Sequence, residues 1–437
     1  MPQKKRHPAG GDALHSNSIG TVPVTGALDS KTSSLPPYSF PWAGLLTLAA
    51  AIFMAVTSEF VPIGLLPDLS REFDVDEAQV GLLVTIFAGA VVVSAAPFTA
   101  LTRRVPRKTL VMIVLVVFAL GNLLAALAPT YGVLVIARII GGLAHGLFWS
   151  VVGAYASYLV PKHHLGRAVA VTSGGGSAAF VLGVPLGTAL GQAVGWRMTF
   201  GVITVVLLVL VVLVAKVLPP ITHGEQLKTG EIPLPMRKDR TLLGVILLCS
   251  IVVVMMVAHY LFYTYISPFL TTVAGFEEDH ISLLLFLFGG AGAIGLVIAG
   301  FASDRFPRGG LIVAFSLVAA SVLALALWPT NTAVVIAAFT VWAIAFGGAP
   351  SMMQTRLLHT ASPRIRDAAS AWYTTSFNLA IGSGALIGGW LLTGFGLGVL
   401  PYFNVALVVL GVVLIVVSNS VLRRRERARV ARPSTLS

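Results

Sequence analysis

The sequence predicts an all-α membrane protein, with twelve transmembrane helices in two pseudo-symmetric halves of six. Three observations predict it. Of the 437 residues, 56% are hydrophobic and only 11% charged, whereas a soluble chain carries about a quarter charged residues, so this one cannot cover itself with a water-compatible surface. Twelve apolar runs are long enough to cross a bilayer, which takes roughly 20 helical residues. The first six runs and the last six repeat at an offset near 200.

The runs fall at about 43–66, 78–101, 109–128, 132–157, 168–192, 198–218, 242–266, 282–302, 310–328, 333–356, 368–392 and 397–419, and are numbered spans 1 to 12 below. Turn residues separate the closest neighbours, WPTN at 328–331 and GFGLG at 394–398. Residues 1–41 are polar, rich in Pro, Ser and Gly, without the apolar core of a signal peptide, and read as a disordered tail. The polar stretch 219–241 links two six-helix bundles, 42–218 and 242–420, and a basic tail follows at 421–437. With the N-terminus in the cytoplasm, the inside segments hold 26 of the 29 Lys and Arg, and the outside loops keep only Arg71 and Arg197. This charge bias predicts cytoplasmic termini in a cell (inner) membrane.

The same charges exclude a nucleic-acid partner, because the net +12 sits in short loops between apolar runs. The single cysteine, Cys249, excludes a disulfide-stapled secreted domain. There is no P-loop and no Cys/His cluster, so neither ATP nor a cofactor or metal is expected.

Three correspondences carry the repeat. TALTRRVPRK at 99–108 after span 2 matches GFASDRFPRG at 300–309 after span 8, Gly183 and Gly187 in span 5 match Gly384 and Gly388 in span 11, and Glu59 matches His259. Two repeated bundles are the architecture that transporters rock about a central site. The pattern resembles the major facilitator superfamily and implies the major facilitator fold. Gly300, Asp304, Arg305 and Arg308 look like its hallmark cytoplasmic gating loop. The first-half copy, with Arg107, departs from it: Thr99, Arg103 and Pro106 stand where the family has Gly, Asp and Gly.

A closer resemblance runs from about 43 to 420, through TSEFVPIGLLP (57–67), HGLFWS (145–150), VLGVPLG (181–187), GWRMTF (195–200), AHYLFYTYISPF (258–269) and FGGAGAIG (288–295). These words look like the bacterial sugar efflux transporters of the drug:proton antiporter branch. The resemblance implies export of arabinose and thiogalactoside-like glycosides, with VLGVPLG in place of the antiporter motif.

The polar residues inside the spans are the candidate site. Glu59 and Arg138 are the full charges within the membrane, and an unpaired charge there costs at least a few kcal/mol, so each is expected to face a cavity with a partner. Counting the helical rise puts both roughly 9–11 Å below the outer surface, where they can pair. Burial favours a neutral carboxyl and a nearby guanidinium an ionised one, so a changing Glu59–Arg138 separation would load and unload a proton. The bland alternative is a static ion pair. Arg138, His145 and Trp149 share one face of span 4, although His145 also fits a core histidine bonded to a carbonyl. His259, Tyr260 and Tyr263 form a polar aromatic group on span 7, and Tyr265 reads as part of the outer interface belt. Hydroxyls and imidazole suit sugar hydroxyls, and ring faces suit the apolar face of a pyranose. Trp342 and Gln354 on span 10 and Asn378 on span 11 complete the set, Asn378 also fitting a helix–helix contact.

The expected function is therefore proton-coupled export of a small sugar or glycoside by a monomer in the lipid bilayer. A proton-coupled multidrug exporter of the same fold is the rival. An intramembrane enzyme is disfavoured because no catalytic pair is present and a repeat would serve no purpose in it.

Overall fold

The computed structural model describes residues 40–430 apart from 103, 162–163, 221–238, 240, 307–308 and 363–364. The chain from Pro41 onward forms one compact unit. Twelve helices in it are long and apolar enough to cross a membrane: Trp42–Gly64, Glu77–Leu101, Arg107–Ala126, Tyr131–Val152, Arg167–Val194, Trp196–Val217, Leu242–Tyr263, Glu278–Phe301, Gly310–Leu327, Thr332–Thr360, Ala368–Phe395 and Leu397–Val421. Each matches its expected span to within a few residues. The expected 1–41 tail, up to residue 39, and most of the 219–241 linker lie outside the described residues, as do 431–437. The last helix continues to Val430, so the expected basic tail begins as helix.

Local chemistry sets the helix ends. Asp76 opens span 2 with a capping box, its carboxylate accepting from Gln79 N at 2.6 Å while Gln79 Oε1 accepts from Asp76 N at 3.1 Å. Asn331 of the WPTN turn accepts from Val334 N and opens span 10. Gly195 and Gly396 end spans 5 and 11 with φ of +89° and +83°, backbone that only glycine adopts freely. They are 201 residues apart, a further repeat point.

The repeat is physical. Span 5 lies on span 1 so closely that a Cβ on Gly183 would sit 1.9 Å from Thr57 Oγ1, and one on Gly187 2.5 Å from Val61. In the second half a Cβ on Gly384 would meet Val257 O at 2.9 Å, and one on Gly388 Leu261 O at 2.2 Å. Thr57 and Val61 precede Val257 and Leu261 by 200 residues, so the same small-residue seam is built twice. The other contacts repeat likewise: span 2 packs on span 4 and span 3 on span 6, as span 8 packs on span 10 and span 9 on span 12.

Two spans depart from simple helices. Span 5 contains a π-helical turn at Ala179–Gly183, and the chain after Tyr263 breaks, resumes at Ile266–Pro268 and winds through a π-turn at Phe269–Val273. Such turns leave carbonyls re-aimed and mark functional segments. Span 1 is the most enclosed, with 78% of its central window buried, and span 7 follows at 61% in the second half. Outward side chains such as Val93, Phe301 and Trp390 are apolar and exposed, which only lipid satisfies.

With twelve spans, the described chain begins and ends on one side, here the terminal side; the opposite side is the far side. The contacts joining the halves gather toward the far side. There span 2 lies along span 11, Thr85 donates to Gly382 O at 3.0 Å, and Ser267 donates to Ile63 O at 2.9 Å. Arg71 donates to Asp68 at 2.5 Å and across the halves to Glu278 at 3.0 Å, while Gln192 donates to Glu278 O. Tyr265 corrects its expected place in the interface belt. It is fully buried, donates to Ala385 O at 2.8 Å and fills the space beside Gly81 and Gly389. Gly81 has no side chain to hold the ring off, so the tyrosine turns inward and helps seal the far side.

Candidate functional site

The site begins with a proline. Pro62 lies within span 1 and has no N–H, so Ser58 O, four residues earlier, loses its helical donor. Arg138 supplies the replacement: Nη1 donates to Ser58 O at 2.8 Å and Nη2 to Glu59 O at 2.7 Å. Its guanidinium also lies 4.2 Å over the ring of Phe87 from span 2. The structure places Arg138 beside Glu59, with the guanidinium on the backbone of span 1 rather than on the expected carboxylate. The carbonyl freed by Pro62 was the nearer unsatisfied acceptor, and Glu59 O lies next to it. Ser58 is tied further, its hydroxyl donating to Asn122 Oδ1 at 2.9 Å while Asn122 donates to Phe118 O.

The Glu59 carboxyl faces His145 instead, with Oε2 3.4 Å from Nε2. The same Nε2 accepts the indole N–H of Trp149 at 2.5 Å. A neutral imidazole offers one lone pair at one nitrogen, so acceptance at Nε2 puts its own proton on Nδ1. His145 Nδ1 has no partner among the described residues. Phe87 and Phe118 stand edge-on to the ring at 5.3 and 5.7 Å. Glu59, Arg138 and His145 are all buried, in an apolar cage built by spans 1 to 4. An ionised carboxylate beside a nitrogen lone pair would be repelled; a protonated one can donate to it.

In the second half, His259 occupies the position equivalent to Glu59 and is buried among rings. It stacks on Phe346 at 3.5 Å and on Tyr263 at 4.9 Å, with Tyr260 and Trp342 edge-on at 5.0 and 5.4 Å. His259 Nδ1 and Trp342 Nε1 are buried without a partner among the described residues. Orphaned buried polar atoms are uncommon and call for a ligand or a water. Phe60, next to Glu59, stacks on Tyr260 at 5.8 Å and meets Phe180 of the span 5 π-turn at 5.0 Å. The carboxyl–imidazole cluster of one half thus borders the ring cluster of the other.

Glu59, Arg138, His145 and Trp149 form one group, and His259, Tyr260, Tyr263 and Trp342 another. Asn378 is buried on span 11 and spends its amide N–H on Thr374 O at 3.0 Å, one turn earlier on its own helix. Gln354 is exposed near the terminal-side end of span 10, apart from both groups. Of the expected gating-loop residues, Arg107 opens the helix of span 3 and is half-buried, and Arg305 ends the helix Ile281–Arg305 and is exposed; the side chain of Asp304 and all of Arg308 lie outside the described residues. Phe60, Phe288 and Phe346 were not singled out from the sequence. Phe346 follows Trp342 by one helical turn, and that spacing was the available signal. Among the described residues no group of three or more His, Cys, Asp or Glu could hold a metal ion.

A model of the Major Facilitator Superfamily matches residues 48–278 and 248–436, one match over each half. This chain belongs to the Major Facilitator Superfamily. Solved facilitator structures share its fold at low identity. A D-xylose-proton symporter superposes with a TM-score of 0.71 at 20% identity, covering 86% of this chain and 97% of its own. A bacterial homolog of the human lysosomal transporter Spinster, inward-facing and occupied, gives 0.70 at 16%, covering 87% and 97%. The nucleoside transporter NupG gives 0.69 at 15%, covering 86% and 98%. This facilitator is thus a multi-pass membrane transporter rather than an enzyme, with Glu59 and His259 on its two most central helices.

Proposed function

We propose that this facilitator exports sugars, of the arabinose and thiogalactoside-like class, in exchange for protons by alternating access. The observation that carries the reading is the pairing of a buried carboxyl–imidazole cluster in one half with an uncharged ring cluster in the other. Glu59 is the proton site, with His145 as its partner and Arg138 as the fixed cation beside it. Because Arg138 is buried and anchored to two span 1 carbonyls, it serves as a fixed countercharge to Glu59 rather than as an open anion site, which favours an uncharged substrate. His259 and Trp342 then offer polar atoms to ligand hydroxyls, while Tyr260, Tyr263 and Phe346 offer ring faces to its C–H surface. The superposition on a xylose-proton symporter is compatible with this chemistry. The cytoplasmic side is the terminal side, so the ligand enters there while the far side is sealed. A multidrug exporter on the same fold would instead rely on the aromatic faces alone.

The test is uptake of labelled arabinose and a thiogalactoside into everted vesicles with an imposed pH gradient. Accumulation that collapses with the gradient supports antiport. Equilibration unaffected by it rejects coupling, and stronger competition by amphipathic drugs than by glycosides favours the rival.

Three variants examine the ligand and the cycle. His259→Ala and Asn378→Ala should each weaken glycoside binding, by about 1 kcal/mol or roughly five-fold for each lost hydrogen bond, without lowering the melting temperature much. Unchanged affinity in both purified variants removes these residues from the site. Asp304→Asn should slow turnover more than it weakens binding, since an acid in that loop can hold helix N-terminal amides or an arginine in only one state. A fall in binding with unchanged turnover per bound ligand refutes that gating role.

A further inference from the structure

We propose that Trp149 is the latch of the proton site, its indole N–H occupying the lone pair through which the Glu59 proton must leave. The inference rests on the reading of Glu59 as the proton carrier and adds the step that controls its exchange. The geometry is a competition at one atom. His145 Nε2 is 2.5 Å from the indole nitrogen of Trp149 and 3.4 Å from Glu59 Oε2. An indole N–H only donates, so while it points at Nε2 the imidazole cannot take a proton there.

Exposure says which partner can move. Glu59 and His145 are 4% and 1% exposed, whereas Trp149 is 38% exposed. Span 4 runs from the far side to the terminal side, so Trp149 lies one turn nearer the terminal side than His145, on the same face. That face is the one Arg138 and His145 turn toward span 1, so the part-exposed indole lies on the terminal side of the buried pair. The charged or titratable groups near His145 are Glu59 from span 1 and Arg138 from span 4. Spans 2 and 3 face it with Phe87 and Phe118, which neither give nor take a proton.

The step balances without another reactant than water. When the indole swings out, the O–H bond of Glu59 breaks as an N–H bond forms at His145 Nε2, leaving a carboxylate and an imidazolium. The imidazolium returns to neutral by giving its Nε2 proton to water on the terminal side, which restores the lone pair there, and the carboxylate keeps its charge beside Arg138. When the indole swings back, Nε2 is again blocked and the site holds whichever state it has reached. Trp149 is a positioning residue in this scheme, since it neither donates nor accepts the transported proton.

Trp149→Phe keeps an aromatic ring and removes the N–H. The experiment follows a pH indicator after a rapid pH jump in weakly buffered, ligand-free, detergent-purified full-length protein. The variant should release its proton about five-fold faster than the parent, the factor one hydrogen bond imposes, with the same number of protons per molecule. An unchanged or slower rate overturns the latch, including the case in which only ligand affinity changes. Trp149→Leu reads the same quantity if the Phe variant does not fold. Glu59→Gln in the same assay separates the two levels: it should abolish the release, and undiminished release from it would overturn Glu59 as the carrier and the latch with it.

Discussion

Glu59→Gln should abolish accumulation of sugar against its gradient while leaving ligand binding in place. Glutamine matches the size and hydrogen-bonding reach of the protonated acid, so it mimics one state of the cycle permanently. A protein held in that state can bind and exchange ligand downhill, but it has nothing to unload. Binding should also lose its dependence on pH. The static alternative expects a different result, a fall in melting temperature with no selective effect on coupling. The geometry bears on that alternative, because Arg138 is held by Ser58 O and Glu59 O at 2.8 and 2.7 Å. Removing the carboxylate therefore leaves the guanidinium its hydrogen bonds. A folded Glu59→Gln transporter that still accumulates sugar would end the proton-carrier role.

The second large effect concerns Arg138. Replacing it with methionine keeps much of the volume but removes two charge-assisted hydrogen bonds, each worth about 1.5–3 kcal/mol. It also strands Ser58 O in an apolar cage, so a marked drop in melting temperature is expected. Pro62→Ala should change that cost. An alanine at 62 restores the N–H that Ser58 O lacks, so the same Arg138→Met change should cost roughly half as much in the Pro62→Ala background. The melting temperatures of the parent, the two single variants and the double variant form a cycle that isolates this coupling. Strictly additive losses would show that the proline and the arginine do not act on one carbonyl. The Pro62→Ala single variant carries its own message. With Ser58 O satisfied internally, the guanidinium is free to turn from that carbonyl toward the Glu59 carboxylate.

Much of the architecture was legible because lipid is an undemanding reader of sequence. It requires about twenty apolar residues per crossing and polar turns between them, and spans 1 to 12 announce themselves by that rule alone. The repeat was legible through Gly183, Gly187, Gly384 and Gly388, since two helices that approach so closely tolerate no side chain at the contact. The inner details obey rules that act across the chain. Arg138 was expected on a carboxylate because the expectation weighed charge and depth, whereas a missing amide proton at Pro62 created a competing acceptor within reach. Tyr265 was expected at the interface because aromatic hydroxyls gather there, yet Gly81 and Gly389 open a buried slot that it fills. His145 and Trp149 could be placed on one face from their spacing. The competition of Trp149 and Glu59 for one lone pair of His145 could not, because it depends on where span 1 brings Glu59.

The far-side seam has a consequence for how the two faces of the molecule differ. Small residues of spans 2 and 11, the buried Tyr265 hydroxyl and the Arg71–Glu278 bridge all strengthen one closure. Every 1.4 kcal/mol by which this closure outweighs its counterpart lowers the population of the oppositely facing form about tenfold. A ligand arriving from the far side meets a receptive molecule only in that minor fraction, and its apparent affinity falls by the same factor. A ligand from the terminal side meets no such discount. The two faces then differ in apparent affinity through the unequal strength of their doors, with no asymmetry in the binding residues themselves, while the driving gradients set which way the ligand travels.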